Sequence, residues 1–363
     1  MIDFAPSKEQ KMVKDSFAQV VRDLVTPAIT DMEESGEIPG SAIQKTWELG
    51  ASISFVPEAY GGDGMEYSPV MNAIILEELA AGDMSFAVAA TVPSLFIIPV
   101  LDMGTEKQKE KYLPPVCTDE FNVSTVAVTE PRMGFDAMNL ATKAEKKGGS
   151  YVLNGEKCFV PMAASAKHIL VAAELDGAPR LFVVDAKNPG LSIGEREKNL
   201  GLYSLETNTV TLKDCEVPED DLLPEENGGY KKFLQKGRVG LCALATGISR
   251  SSYEFARQYA RERVQFGERI GQRQAVAFMV AEMAYETDAM RLLTWKAASK
   301  LENGKDAMRE STLARLYCGE MAMKVCDYGV QVMGGHGYIR DYPMERNYRN
   351  ARGVAVMEGL ATV

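Results

Sequence analysis

Between Lys8 and about Thr118, apolar residues recur three and four positions apart; Met12, Val13, Phe17, Val20, Val21 and Leu24 form one stripe, and Ile74, Ile75, Leu76, Leu79 and Ala80 another. That period predicts helices with a buried face. Pro39-Gly40 and Gly61-Gly62 punctuate the pattern. Residues 84–101 carry no charge and are long enough to raise the question of a membrane span, but Ser85, Thr91, Pro93, Ser94 and Pro99 interrupt them and no second span accompanies them. A buried helix–loop–helix without membrane insertion is expected there.

From about Val123 to Leu223 the texture changes to short β-branched runs between turn residues. Tyr151-Val152-Leu153 followed by Asn154-Gly155 predicts a hairpin, and 168–173, 181–184 and 207–212 read as further strands. From Tyr230 onward long helical patterns return at 241–263, 275–300 and 311–333, predicting an antiparallel four-helix bundle. Helices, then strands, then helices describe an α+β chain, not the βαβ alternation of a doubly wound sheet. The zones divide into a helical domain at 1–122, a β-domain at 123–226 and a helical domain at 227–363.

Composition narrows the function. The 363 residues are 46% apolar and 25% charged with mean hydropathy -0.15, which allows a large core and two or three domains. Forty basic against 51 acidic residues give a net charge of -11. That balance opposes a nucleic-acid binder that neutralises phosphates, and a peripheral binder of anionic membranes. His168 and His336 are the only histidines, leaving little for histidine-rich zinc chemistry or a Ser-His-Asp triad. The six cysteines form no C-x-x-C pair and read as reduced, mostly buried thiols; the first residues lack the apolar run of a secretory signal, so a cytoplasmic protein is expected.

No G-x-G-x-x-G follows a predicted strand. The richest glycine cluster, Gly334-Gly335-His336-Gly337-Tyr338, follows a helical segment ending near Met333. Such glycines ordinarily cap a helix; equally, missing side chains let a phosphate-bearing ligand approach the backbone. Glu358 is the only ionisable residue in Gly353-Val354-Ala355-Val356-Met357-Glu358-Gly359-Leu360-Ala361. By itself it is as readily an exposed helix-terminal charge as a carboxylate whose pKa is raised by exclusion of water, ready for proton abstraction.

Several segments occur together in order: Val128-Thr129-Glu130-Pro131-Arg132-Met133-Gly134-Phe135-Asp136; Asn154-Gly155-Glu156-Lys157-Cys158-Phe159-Val160; Arg261-Glu262-Arg263-Val264-Gln265-Phe266-Gly267 with Gln274; Gln331-Val332-Met333-Gly334-Gly335; Tyr342-Pro343-Met344-Glu345-Arg346; and Val356-Met357-Glu358-Gly359. In order and spacing the chain resembles the acyl-CoA dehydrogenase family from about residue 4 to its end. The resemblance implies a helical N-terminal domain, a middle β-domain and a C-terminal four-helix bundle. It also implies FAD held between the last two and a neighbouring subunit, a homotetramer or dimer, and electron-transfer flavoprotein as redox partner. The implied reaction removes the α proton of an acyl-CoA to a carboxylate and its β hydride to flavin N5, giving a 2-enoyl-CoA.

Carried over by position, Glu358 is the base, and its backbone N–H, with a ribityl hydroxyl of FAD, polarises the thioester oxygen. The alternative base position, just before Arg238, is Gly237. Arg238, Phe135 and Met357 are expected at the substrate. Val126, Val128, Thr129, Gly134, Phe159, Val160 and Pro161 are expected along the flavin. Arg263, Phe266 and Gln274 match residues that reach the FAD of an adjacent subunit, and Gln331, Gly334 and Gly335 match its adenosine and pyrophosphate segment.

The departures from the family pattern cluster around the same ligand. Phe135 replaces a serine, Pro161 a threonine beside flavin N5, Leu360 a small hydroxyl residue and Gln235 an aspartate, and relatives add about one helix after the position of Val363. Pro161 has neither a hydroxyl nor an N–H to offer. Besides the dehydrogenase, these changes leave open an enoyl-CoA reductase or acyl-CoA lyase-type relative, and a binding or scaffold member without flavin.

Overall fold

In a computed structural model, which describes residues 5–226 and 228–363, the first helical zone becomes α1 (Lys8–Val20), α2 (Ile29–Ser35), α3 (Gly40–Glu48), α4 (Pro69–Gly82), α5 (Met84–Thr91), α6 (Ser94–Met103) and α7 (Glu106–Tyr112). Ser7 and Gln10 open α1 with a reciprocal capping box. Phe17 and Val20 of the first stripe are buried, whereas Met12 lies outside the buried face. Leu24 turns outward and Val25 inward where the helix widens into a π turn over Val21–Val25. The uncharged stretch forms α5 and α6, bent by 44° and buried within the chain. No single helix among the described residues is long and apolar enough to cross a membrane.

The middle zone is a seven-stranded sheet of β1 (Thr125–Ala127), β2 (Lys143–Lys147), β3 (Ser150–Pro161), β4 (His168–Leu175), β5 (Ala178–Asp185), β6 (Leu191–Arg196) and β7 (Thr207–Pro218). β4 pairs with β5 antiparallel and with β1 and β2 parallel; β3, β7 and β6 continue from β2 as antiparallel neighbours. Asn154-Gly155 is not the expected hairpin turn. β3 runs straight through it as a bulge against β7, and the β2–β3 turn lies at Gly148-Gly149. Asn154 Oδ1 accepts the Asp214 N–H, and a side chain at Gly155 would collide with Thr142, so the glycine serves a close approach between strands.

The last zone is α8 (Gly229–Glu262), α9 (Gln274–Glu302), α10 (Met308–Met333), the single turn α11 (Gly335–Tyr338) and α12 (Met344–Val356). The bundle has three long helices and one of 13 residues. The Glu225 carboxylate accepts the Tyr230 N–H at the start of α8, favourable to the helix dipole. α8 packs closely on other elements where its side chains are missing. A Cβ on Gly247 would lie 2.4 Å from Glu77 O of α4, and one on Gly240 would lie 2.7 Å from Thr362 N. All six cysteines are unpaired and buried, and burial pushes the Cys117 and Cys326 thiols up to about 12.

A buried ion pair ties the sheet to the loop after β1. Lys157 Nζ of β3 donates to Glu130 Oε1 at 2.9 Å and to Val128 O at 3.1 Å, with both side chains almost fully buried. Burial would raise the Glu130 carboxyl, but Lys157 and the N–H groups of Ala141 and Thr142 outweigh it and hold Glu130 near 2. Burial lowers Lys157 to about 8, against the attraction of Glu130.

Gly247→Ala should destabilise the fold by about 1–3 kcal/mol through overpacking. Gly149→Ala, with open space around it, should change little; thermal unfolding of the two variants checks the contrast. Because the folded pKa of Glu130 is depressed, its stabilisation is present above its ordinary 4.5 and is lost as pH falls through about 2. Glu130→Gln should therefore reduce the stability difference that urea unfolding measures between pH 5 and pH 2.

Candidate active site

α12 ends at Val356, and the chain continues extended through Met357 into Gly359 at φ 75°, a conformation that favours glycine. A Cβ at Gly359 would stand 3.2–3.3 Å from the side chains of Val128 and Val126, so this segment packs directly on the β1 strand and its continuation. Thr129 holds the backbone of Glu358 from both sides. Its hydroxyl accepts the Glu358 N–H at 3.2 Å and lies 3.1 Å from the Glu358 carbonyl, to which it donates. The N–H that the resemblance assigns to a thioester oxygen thus has Thr129 as its partner in this structure, as a part-buried N–H requires one.

The half-buried Glu358 carboxylate faces α8, with Oε1 3.6 Å from Arg238 Nε. Arg238 is oriented from the other side by α10, through Thr312 Oγ1 at 2.9 Å and Met308 Sδ at 3.6 Å. Arg315, one turn along α10 from Thr312, donates to Met357 O at 3.1 Å. The continuation of β1, α8 and α10 therefore hold, in turn, the amide of Glu358, its carboxylate and the preceding carbonyl.

Arg315 and Thr312 escaped the sequence reading. Their only signal is two polar residues three positions apart on a helix whose neighbouring buried positions are Ala314, Cys318 and Ala322. Tyr230 was also missed. Its hydroxyl donates to Ala137 O at 2.8 Å, and burial first, then the charge of Glu358, pushes its phenol up.

Phe135 lies half-buried against the apolar cluster that contains Val126, Val128, Tyr230 and Phe233, while Gly134 beside it is exposed at φ 66°. Met357 is buried. On β3, the Cys158 N–H donates to Thr129 O at 2.9 Å, which brings the strand alongside. Phe159, the next residue, takes φ 55° and gives its N–H to both Glu197 oxygens at 3.1 Å. Its ring packs against the cluster that includes Met357 and Leu360. Val160 belongs instead to the apolar core of the sheet, and Pro161 is buried opposite Thr207 at the end of β3.

A second set of the expected residues gathers elsewhere. Arg263, Phe266, Gln331, Gly334 and Gly335 line one open groove of about 340 Å³, where α8, α9 and the end of α10 meet. Gly334 caps α10 at φ 58°, ψ -132°, and side chains at Gly334 and Gly335 would meet nothing within 4 Å. The glycines thus end the helix and also leave its backbone open to the groove. Phe266 is 88% exposed at φ 56°, with the Arg273 guanidinium 5.0 Å from its ring centre. The structure does not bring Gln274 into this groove; it is exposed at the first residue of α9.

Family models for the acyl-CoA dehydrogenase N-terminal, middle and C-terminal domains match residues 7–120, 125–215 and 229–363. The chain is 36% identical to the caffeyl-CoA reductase-Etf complex subunit CarC of Acetobacterium woodii, over 98% of its own length and 96% of that protein. It is 32% identical to the 3-(aryl)acrylate reductase of Clostridium sporogenes over 98% and 96% of the two chains. The structure superposes on butyryl-CoA dehydrogenase from Megasphaera elsdenii with a TM-score of 0.89 and 29% identity, covering 99% and 96%. With a helical first third, a middle sheet and a helical last third in the same order as those relatives, the chain belongs to the acyl-CoA dehydrogenase family and is an oxidoreductase.

Proposed function

We propose that the protein is an FAD-dependent oxidoreductase acting across the α and β carbons of an acyl-CoA thioester, with Glu358 carrying the α proton. The observation that carries this reading is the way Glu358 is held: backbone on Thr129, carboxylate beside Arg238, preceding carbonyl on Arg315. A proton carrier needs a fixed carboxylate with restricted access to water, and this arrangement supplies one on three rigid elements. Arg238 keeps the carboxylate turned toward α8, and Thr312 and Met308 keep Arg238 from swinging away.

The residues present fit the cofactor. In the groove, Arg263 has no ion-pair partner among the described residues and lies beside the unobstructed backbone of Gly334-Gly335, a combination suited to pyrophosphate. Phe266 and Gln331 would flank the same part of the ligand. Val126, Val128, Thr129, Phe159 and Pro161, with Gly134 and Val160 next to them, would line the flavin ring. When bound, FAD supplies the acceptor, or the donor, of a hydride at the β carbon. No described residue lies both in the groove and beside Glu358, so a second copy of the chain would complete each site, in a homotetramer or dimer. Phe135 and Met357 would bound the acyl group.

Dehydrogenation to a 2-enoyl-CoA is the first direction. Reduction of an enoyl-CoA is the second, favoured by Pro161, which offers the flavin neither hydroxyl nor N–H, and by the similarity to the caffeyl-CoA reductase subunit. That relative is a subunit of a complex with Etf, which supports electron-transfer flavoprotein as the redox partner in either direction.

Anaerobic addition of an acyl-CoA series should bleach the flavin of the purified protein for at least one member. A yellow protein bleached by none, yet reoxidised by enoyl-CoAs, would move the reading to the reductase, and a colourless protein would leave a binding or scaffold role. Glu358→Gln should retain flavin and lose about 10²–10⁴-fold in turnover. Pro161→Thr should shift the ratio of oxidation to reduction rates toward oxidation, measured with an artificial acceptor and donor.

A further inference from the structure

The loop after β1 carries Gly134 and Phe135, and its two ends meet on one buried carboxylate. Glu130 Oε1 accepts the Thr142 N–H at 2.8 Å and Lys157 Nζ at 2.9 Å; Oε2 accepts the Ala141 N–H at 2.7 Å and faces Arg132 Nε at 3.2 Å. Arg132 extends its other end across the neck of the loop to donate to Asn139 O. Residues 131–140 thus form a ten-residue loop whose entry and exit are drawn together by a single side chain. Both oxygens of that side chain are saturated by donors from β3, from the loop's exit and from its own first turn.

Inside the loop the restraints are local. Met138 N–H binds Asp136 Oδ1, Asn139 N–H binds Asp136 O, and among the described residues the one hydrogen bond from outside the neck is that of Tyr230, which donates to Ala137 O, while Ala137 and Leu140 are buried in the apolar cluster. Met133 at the tip is fully exposed. Among the described residues no hydrogen bond holds residues 133–135, so the position of Phe135 depends on the neck together with its packing against the Val126–Val128 cluster.

We propose that Glu130 and Arg132 are positioning residues that clasp the 131–140 loop, with Lys157 as the fixed post beneath, and that the clasp sets Phe135 against the acyl group of the substrate. The second half of this statement rests on the placement of the acyl site given under the proposed function; the first half rests on the hydrogen bonds alone. The clasp acts on binding of the acyl portion and not on the proton carrier, because Thr129 and Arg238 hold Glu358 independently of the loop.

Arg132 is part-exposed, so it can be changed without emptying the buried pair, whereas Glu130→Gln strips a buried lysine of its counter-charge and changes the stability of the fold together with the loop. The test uses the flavin-loaded full chain carrying Arg132→Ala, with Arg132→Lys as the conservative variant. Loss of a charge-assisted bond across the neck should speed chymotryptic cleavage after Phe135, followed by mass spectrometry, by about tenfold or more. With whichever acyl- or enoyl-CoA the wild type turns over, KM should rise about tenfold while kcat stays within about twofold, the mark of lost ground-state binding. Arg132→Lys should recover part of both effects, because an ammonium can reach Glu130 but cannot span to Asn139 as the guanidinium fork does.

An unchanged cleavage rate overturns the clasp. Faster cleavage with an unchanged KM, or a fall in kcat alone, overturns the assignment of Phe135 to the acyl group. A wild-type protein that turns over no CoA thioester would instead defeat the proposed function, and the cleavage measurement would still decide the clasp.

Discussion

Close approach of backbones along α8 is the constraint on which the rest of the molecule depends. The helix runs 34 residues, about 50 Å at 1.5 Å per residue, and it touches α4 on one side and the Leu360–Thr362 segment on another. At Gly247 it admits the Glu77 carbonyl of α4, and at Gly240 the amide of Thr362. Glycine in a helix interior costs roughly 1 kcal/mol relative to alanine, and here the cost is offset by burial of two neighbouring elements against one axis. Between those two glycines lie Leu241, Cys242, Ala243, Leu244 and Ala245, all buried, so the axis is also the centre of the largest apolar cluster.

The functional geometry is a consequence of that axis meeting the sheet. Arg238 sits three residues after Gln235 and two before Gly240, at the level where the C-terminal segment crosses α8. Glu358 is therefore brought to Arg238 by the same packing that seats Leu360 and Ala361 in the core. Its backbone is then completed by Thr129 from the strand side. A carboxylate on a segment with no regular structure acquires the rigidity of two helices and a strand because each of its polar groups meets a different one of them.

Much of this was readable in advance, and the parts that were not have identifiable reasons. The order of helices, strands and helices follows from periodicity, and Glu358, Arg238 and Thr129 stand in motifs whose spacing survives into contact. Asn154-Gly155 misled because the same dipeptide serves a type I′ turn and a bulge, and the choice between them lies in β7, some sixty residues away. Leu24 misled because a π turn adds a residue that a fixed helical period does not contain. Arg315, Tyr230 and the Lys157–Glu130 pair were invisible because their roles are set by partners distant in sequence. Gln274, carried over from the resemblance, is exposed at the start of α9 and is not among the residues lining the groove that collects Arg263, Phe266, Gln331, Gly334 and Gly335.

The six thiols carry a consequence of a different kind. Each is sealed in the interior, and those of Cys117 and Cys326 have their ionised, reactive form suppressed at neutral pH. They are spread over α8, α10, two strands and the segment after α7, so they sample the sheet and both helical regions. None of the six thiols lies at the surface of the native chain, and alkylation of any one cysteine becomes a clock for opening of the particular layer that encloses it.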